Sequence, residues 1–205
     1  MRKHAPVLPV REQDRNDNDL DNALKLLQEG RDTDASRFLL LSSNNGNPSA
    51  QYILGLLYAT GNGVEQSFKQ AVNYFTHAAE QDIPQAQHDL AICYFEGNGV
   101  NKNNVLAVYW FGRAARLGDP ESQLALGNMY ANGDGCPKDP AKAFDCFLQA
   151  AEQGNIDGQY NVAVAYETGD GTATDIEKAK LWYDEAAKQG DKDAKRRLKA
   201  LNRKS

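Results

Sequence analysis

AQYILGLLYATGNGVEQSFKQAVNYFTHAAE, residues 50–80, is followed 36 residues later by AQHDLAICYFEGNGVNKNNVLAVYWFGRAAR, residues 86–116, and the register then recurs twice more. Gly61, Gly97, Gly133 and Gly169 form one column, and Gly63, Gly99, Gly135 and Gly171 another, with Asn62, Asn98, Asp134 and Asp170 between them. Tyr58, Tyr94, Tyr130 and Tyr166 keep the same step. So do Ala71, Ala107, Ala143 and Ala179, and the Ala-Ala pairs that begin at Ala78, Ala114, Ala150 and Ala186. So many columns in one register identify a tandem repeat, and a repeat of this length fixes the architecture before any local reading.

Each unit reads as two helices. The first, from Ser49 to Tyr58 in the leading unit, places Ala50, Leu54, Leu57 and Tyr58 on one helical face. Asn47, Asp119, Asn155 and Asp191 share a capping column, and Pro48, Pro84 and Pro120 follow where a missing N–H is harmless. Gly61 and its equivalents stop the helix with a left-handed turn. The second helix has its own caps, Ser67, Asn103, Asp139 and Asp175, and is closed by Gly118, Gly154 and Gly190. Asp82 and Ile83 replace the closing glycine and the next cap, so a distorted junction is expected there.

Residue size gives the packing logic. Alanine and glycine columns let helices approach closely, while aromatic columns fill the space between layers. Tyr74, Trp110 and Trp182 share a column that Cys146 interrupts, and Phe75, Phe111, Phe147 and Tyr183 form the next. One unit cannot bury such faces alone, so neighbours must stack.

The chain therefore divides into a flexible polar leader (1–18), a degenerate helical pair (19–47), repeats at 48–83, 84–119, 120–155 and 156–191, and a basic capping helix (192–205). In the degenerate pair, Ala23, Leu24 and Leu27 mark the first helix and Ala35, Phe38 and Leu39 the second. In the last helix, Ala194 and Leu198 continue the columns of Ala50 and Leu54. The expected fold is all-α.

Composition narrows the function. The 205 residues are 41% hydrophobic and 25% charged, and no apolar run approaches the roughly 20 residues that cross a bilayer. Met1 to Val10 is basic but lacks the apolar stretch of a secretory signal, so a cytoplasmic protein is expected, or a periplasmic one had a signal been removed. Cys93, Cys136 and Cys146 are odd in number and never in a C-x-x-C pair, and are read as free thiols filling apolar space. The net charge is −5, with three Lys/Arg against eight Asp/Glu in 156–191 and seven against one in 192–205. That leaves no broad basic face, so neither nucleic acid nor membrane is an expected partner.

Catalytic signatures are missing from the sequence. It has no nucleophile elbow and no H-E-x-x-H. The G-[ND]-G turns lack a following G-K-[ST] and recur in every unit, which marks them as structural. His4, His77 and His88 are scattered. The Asp14-to-Asp21 cluster lacks the central glycine and twelfth-position glutamate of a calcium loop. Lys195, Arg196, Arg197 and Lys199 read as the polar face of the capping helix. No catalytic residue, metal or cofactor is expected.

The pattern A-x-x-x-L-G-x-x-Y-x-x-G-x-G-V, carried first by Ala50, Leu54, Gly55, Tyr58, Gly61, Gly63 and Val64, is followed by A-x-x-[YW]-[FY]-x-x-A-A-x-x-G. Together they resemble the SEL-one-like repeat, a branch of the tetratricopeptide-type solenoids, across residues 48–191. The resemblance implies a right-handed α–α superhelix whose first helices line a concave face. It implies an adaptor or scaffold that binds another protein, or an immunity protein that neutralises a bacterial toxin. It also touches a cysteine-rich branch credited with β-lactamase activity, but the paired cysteines of that branch are not present here. The family reading makes the chain a non-enzymatic monomer whose partner is another, secretion-related or toxin protein.

On that reading the partner-binding positions are Tyr52 and Leu56 in the first unit, with His88, Ile92 and Phe95 in the second. Leu124 and Asn128 follow in the third, and Tyr160, Val164 and Glu167 in the fourth. Tyr52, Phe95 and Tyr160 are expected to be free of core packing, so that replacing Tyr52 and Tyr160 by alanine leaves the melting temperature nearly unchanged. Glu121, Asp157 and Glu167 are expected to meet basic groups on the partner.

Overall fold

The repeat resolves into helices alone among residues 17–203, which the computed structural model describes. They are α1 (Asn18–Gln28), α2 (Asp32–Asn44), α3 (Pro48–Thr60), α4 (Phe68–Glu80), α5 (Pro84–Glu96), α6 (Asn104–Arg116), α7 (Pro120–Asn132), α8 (Pro140–Glu152), α9 (Ile156–Thr168), α10 (Ile176–Lys188) and α11 (Lys192–Asn202). Residues 1–16 of the expected leader, His4 and the Met1–Val10 stretch among them, lie outside the described residues.

Local chemistry sets the helix ends. Asn47 accepts a hydrogen bond from the Ala50 N–H at 3.1 Å and α3 stops at Gly61, whose φ is 75°. Asp119 and Asn155 cap α7 and α9 in the same way, through Ser122 N–H and Gly158 N–H at 2.8 Å each. Ser67, Asp139 and Asp175 cap α4, α8 and α10. Asp17 and Asn18, placed in the leader by sequence, are instead the cap and first residue of α1. Asp17 accepts from the Asp19 and Leu20 N–H groups and also from the Ser42 hydroxyl and Asn47 amide.

The junction at Asp82 is not distorted. Asp82 takes a φ of 60°, the same left-handed conformation as Gly118 and Gly154 at the equivalent turns. The backbone bonds that close the turn are kept: Asp82 N–H to the Ala79 carbonyl at 3.2 Å and Ile83 N–H to the Ala78 carbonyl at 3.3 Å. The strain falls on one aspartate, a residue type that tolerates this region better than most. Pro84 starts α5 although Ile83 makes no side-chain cap bond.

The chain forms two compact units that divide between Asn103 and Asn104. In the first, consecutive helices from α1 to α5 pack in sequence; in the second, those from α6 to α11 do so. Leu20, Leu39, Ile53 and Leu54 are at the centre of the first unit's core. Phe144, Phe147 and Val162 centre one cluster of the second unit, and Ala179, Tyr183 and Ala186 another. Removing an aromatic such as Phe75, which is 3% exposed, costs about 3–5 kcal/mol. Gly55 and Gly127 are required by the same layer, because a Cβ at either would overlap the ring of Phe75 or Phe147.

The second glycine of each loop is doubly constrained. Gly63, Gly99, Gly135 and Gly171 all have positive φ, between 71° and 77°. A Cβ at each would also overlap the backbone at the first residue of the preceding second helix: Asp32, Phe68, Asn104 and Pro140 respectively. Each interhelical loop thus leans on the start of the helix one repeat before it.

A glutamine ladder ties neighbouring pairs together. Gln51, Gln87, Gln123 and Gln159 are buried and donate to the carbonyls of Ser43, Ala79, Ala115 and Ala151, at 3.4, 2.9, 3.2 and 3.4 Å. The carboxamide oxygens of Gln51, Gln123 and Gln159 in turn accept from Gln81, Gln153 and Gln189 at 2.8, 2.7 and 2.9 Å. Leu117 stands in that donor column in the remaining repeat, and the Gln87 Oε1 is buried without a hydrogen-bond partner. There the amide of Gln87 also reaches Asp82 Oδ1, at 3.2 Å.

Candidate functional site

In the first unit, the positions read as exposed fall into two groups. Tyr52 belongs to the core, contrary to the sequence reading. It is 8% exposed, its ring centroid lies 5.9 Å from that of Phe75, and its hydroxyl donates to Asp89 Oδ2 at 3.0 Å. A large amphipathic ring at this point fills the gap above Phe75 while its polar end reaches the next first helix. Leu56 is half-buried. On α5, His88 and Ile92 are half-buried and Phe95 is 37% exposed, one above the other at a spacing of four and then three residues. Lys102 holds its ammonium 5.2 Å from the Phe95 ring centroid, against the face of the ring.

In the second unit, Leu124 is half-buried and Asn128 exposed on α7, while Tyr160, Val164 and Glu167 are half-buried on α9. Tyr160, expected from sequence to be free of core packing, instead packs against the core cluster, edge-on to Tyr183 with centroids 5.6 Å apart. The Tyr183 hydroxyl donates to Glu167 Oε2 at 2.7 Å, and Arg197 Nη1 lies 3.6 Å from Glu167 Oε1. Burial, followed by that donation to a carboxylate, raises the Tyr183 phenol well above its ordinary pKa. The Glu167 charge raises that of the Arg197 guanidinium.

These contacts redraw the acidic face expected from sequence. Glu167 is committed to Tyr183 and Arg197, and Glu121 accepts from the Asn155 amide at 2.8 Å. Asp157 is exposed. Arg197, Tyr183 and Asp89 were not picked out by sequence as partners of these positions, because pairing across the helical layers is set by how the helices stack.

The thiols do not form a reactive site. All three cysteines are free, and burial, reinforced by nearby carboxylates, pushes Cys93 and Cys146 up to about 11. Such thiols stay protonated at neutral pH and are poor nucleophiles. Among the described residues no group of three or more His, Cys, Asp or Glu is placed to hold a metal ion. None of the described helices is long and apolar enough to cross a membrane.

Comparison with known proteins places this geometry. A protective antigen of uropathogenic Escherichia coli strains displaying an SLR fold superposes with a TM-score of 0.87 at 30% identity, over 91% of this chain and 41% of that one. The chain thus spans about two fifths of that protein's length. A Sel1 repeat protein from Oxalobacter formigenes gives 0.80 at 31% identity, over 89% of this chain and 78% of that one. An immunity protein of Pseudomonas aeruginosa shares the fold at 22% identity and a TM-score of 0.52, over 93% and 70% of the two chains. No curated protein matches the chain. The Sel1 repeat pattern itself matches four consecutive stretches, 48–83, 84–119, 120–155 and 156–191. The chain belongs to the Sel1 repeat family, an α-solenoid family whose members are generally protein-interaction modules.

Proposed function

We propose that this chain is a non-enzymatic adaptor that binds a protein partner along the outward positions of its first helices. The observation carrying the reading is the repeated presentation of partly exposed apolar groups at one register: Ile92 and Phe95 on α5, Leu124 on α7, Tyr160 and Val164 on α9. Exposed apolar groups held on rigid helices are the usual anchors of a protein interface. His88, Asn128 and Leu56 flank them and supply orientation rather than the main binding term. Tyr52 acts beneath this surface, by holding the α3 and α5 positions in place. Glu167 acts likewise, through its contacts to Tyr183 and Arg197.

The test is comparative capture from the native host. Tagged wild type and the Phe95→Ser, Val164→Ser double variant are used as baits, with mass spectrometry as the readout. Partners that are retained by wild type and lost by the double variant support the surface, provided both proteins melt alike. An unchanged partner list would remove it.

A second reading, an immunity protein, is favoured by the fold shared with immunity proteins of Pseudomonas aeruginosa. It predicts a neighbouring gene whose product arrests growth and is neutralised by co-expression of this chain. Growth arrest that persists on co-expression would exclude this second reading.

A further inference from the structure

We infer that a hollow between α6, α7 and α8 is a second protein-docking site, whose occupant is an aromatic side chain of a partner segment that also carries carboxylates.

The hollow has a volume of about 460 Å³ and is walled by Tyr109, Gly112, Arg116, Tyr130, Lys142 and Cys146, among others. It opens where Cys146 replaces a ring of the repeat and where Gly112 is smaller than Thr76, Leu148 and Asp184 at the same step. Cys146 stands in the column that Tyr74, Trp110 and Trp182 fill with rings. In the first repeat the equivalent ring, Tyr74, stacks on Tyr58 with centroids 5.5 Å apart and planes 9° from parallel. Tyr130, in the Tyr58 column, has no such ring over it from Cys146. Gly112 is the second departure. It sits inside α6, where glycine costs about 1 kcal/mol relative to alanine, and a Cβ there would meet nothing within 4 Å. Neither packing nor backbone conformation asks for glycine at this position.

Two independent departures from the stable choice open the same space, which is the signature of a site kept at the expense of stability. The missing group is a ring, so a ring is what the space accepts. Its mouth continues onto exposed apolar surface, with Tyr109 52% and Val105 64% exposed on the same face of α6. Arg116 is exposed, and no carboxylate among the described residues pairs with it. Lys142 lies opposite, 5.5 Å from the Tyr130 centroid and bridged to Asp139. Asp145 also lines the hollow and Lys142 is already held by Asp139, so Arg116 is the cation left to meet a carboxylate beside the incoming ring.

The experiment uses three blocked tripeptides, Ac-Glu-Trp-Glu-NH2, Ac-Lys-Trp-Lys-NH2 and Ac-Glu-Ala-Glu-NH2, titrated into the full chain with backbone amide shifts as the readout. Saturable shifts at Gly112 and Cys146 are expected with Glu-Trp-Glu. The Lys-Trp-Lys peptide should bind about two- to fivefold more weakly, as loss of an exposed ion pair implies, and Glu-Ala-Glu should give no saturable shift. Cys146→Trp restores the column's own ring and should abolish binding. Gly112→Leu fills the same space from α6 with the residue found at Leu148 one repeat later, and should do likewise. Both variants should melt no lower than wild type. The inference is overturned by an absence of saturable shifts, by binding that survives either filling variant, by equal binding of the lysine peptide, or by a fall in melting temperature for Gly112→Leu.

Discussion

Gly135→Ala tests whether the loops are held by close backbone approach rather than by turn conformation alone. Gly135 has a φ of 74°, and a Cβ there would overlap the carbonyl of Asn104. An alanine in the left-handed region costs about 1–2 kcal/mol. Forcing the loop away from the start of α6 adds a packing penalty of about 1–3 kcal/mol. The stiffer unfolded chain returns about 0.4–1 kcal/mol, so the net loss is about 2–4 kcal/mol. Gly154→Ala is the control: its φ is 87°, but nothing lies within 4 Å of the added carbon, so only the conformational cost applies. The two variants should differ by about 2 kcal/mol, or about 4–8 °C in melting temperature for a chain of this size. Thermal unfolding followed by circular dichroism at 222 nm measures the difference directly. Equal losses would show that the loop moves freely off Asn104 and would refute the account of the second glycine column.

Other perturbations read different parts of the same framework. Gln153→Leu strands the buried Gln123 Oε1, a loss of about 1–3 kcal/mol by urea unfolding, whereas the exposed Gln149→Leu should be nearly silent. Asp82→Ala should destabilise by about 1 kcal/mol while Asp82→Gly is close to neutral, since glycine relieves the strained φ but loses the Gln87 bond. Burial opposes ionisation of Asp17, but its bonds from Ser42, Leu20, Asn47 and Asp19 outweigh it and hold the carboxyl below the ordinary 3.8. Its contribution is therefore present above that value and fades as pH falls through the lower folded-state pKa. Amide exchange in α1 should accelerate over that acid window, and Asp17→Ala should remove about 1 kcal/mol at neutral pH and abolish the acid dependence. Tyr183→Phe should cost about 1–3 kcal/mol and Glu167→Gln a similar amount, with a double-mutant cycle showing that the two losses do not add.

The fold was legible because its signals are local and recur. Asn47, Gly61, Ser67 and their equivalents act within a few residues of themselves, and the period then extends one reading to the whole chain. The surface was less legible. Tyr52 and Tyr160 occupy the same column, yet Tyr52 is sealed against Phe75 and Asp89 while Tyr160 keeps a partly open edge. Periodicity says which face a residue occupies, not how deeply the neighbouring pair covers it. The glutamine column was available at the same 36-residue step. A polar residue in a helix ordinarily reads as a solvated one, and only the stacked geometry reveals the carbonyl that each amide satisfies. Asp82 misled for a related reason: a residue disfavoured in a conformation still adopts it when every surrounding bond requires it.

The glutamine ladder has an evolutionary corollary. Each rung reaches back only eight residues, and every one but Gln87 is answered from 30 residues onward, so the wiring is indifferent to how many modules precede or follow. Excising residues 120–155 would deliver Gln159 to the carbonyl that Gln123 now occupies at Ala115, with Gln189 still seated behind it. Lengthening and shortening by whole periods are thus cheap genetic moves for this chain, while an indel of any other size leaves an amide and a carbonyl facing strangers.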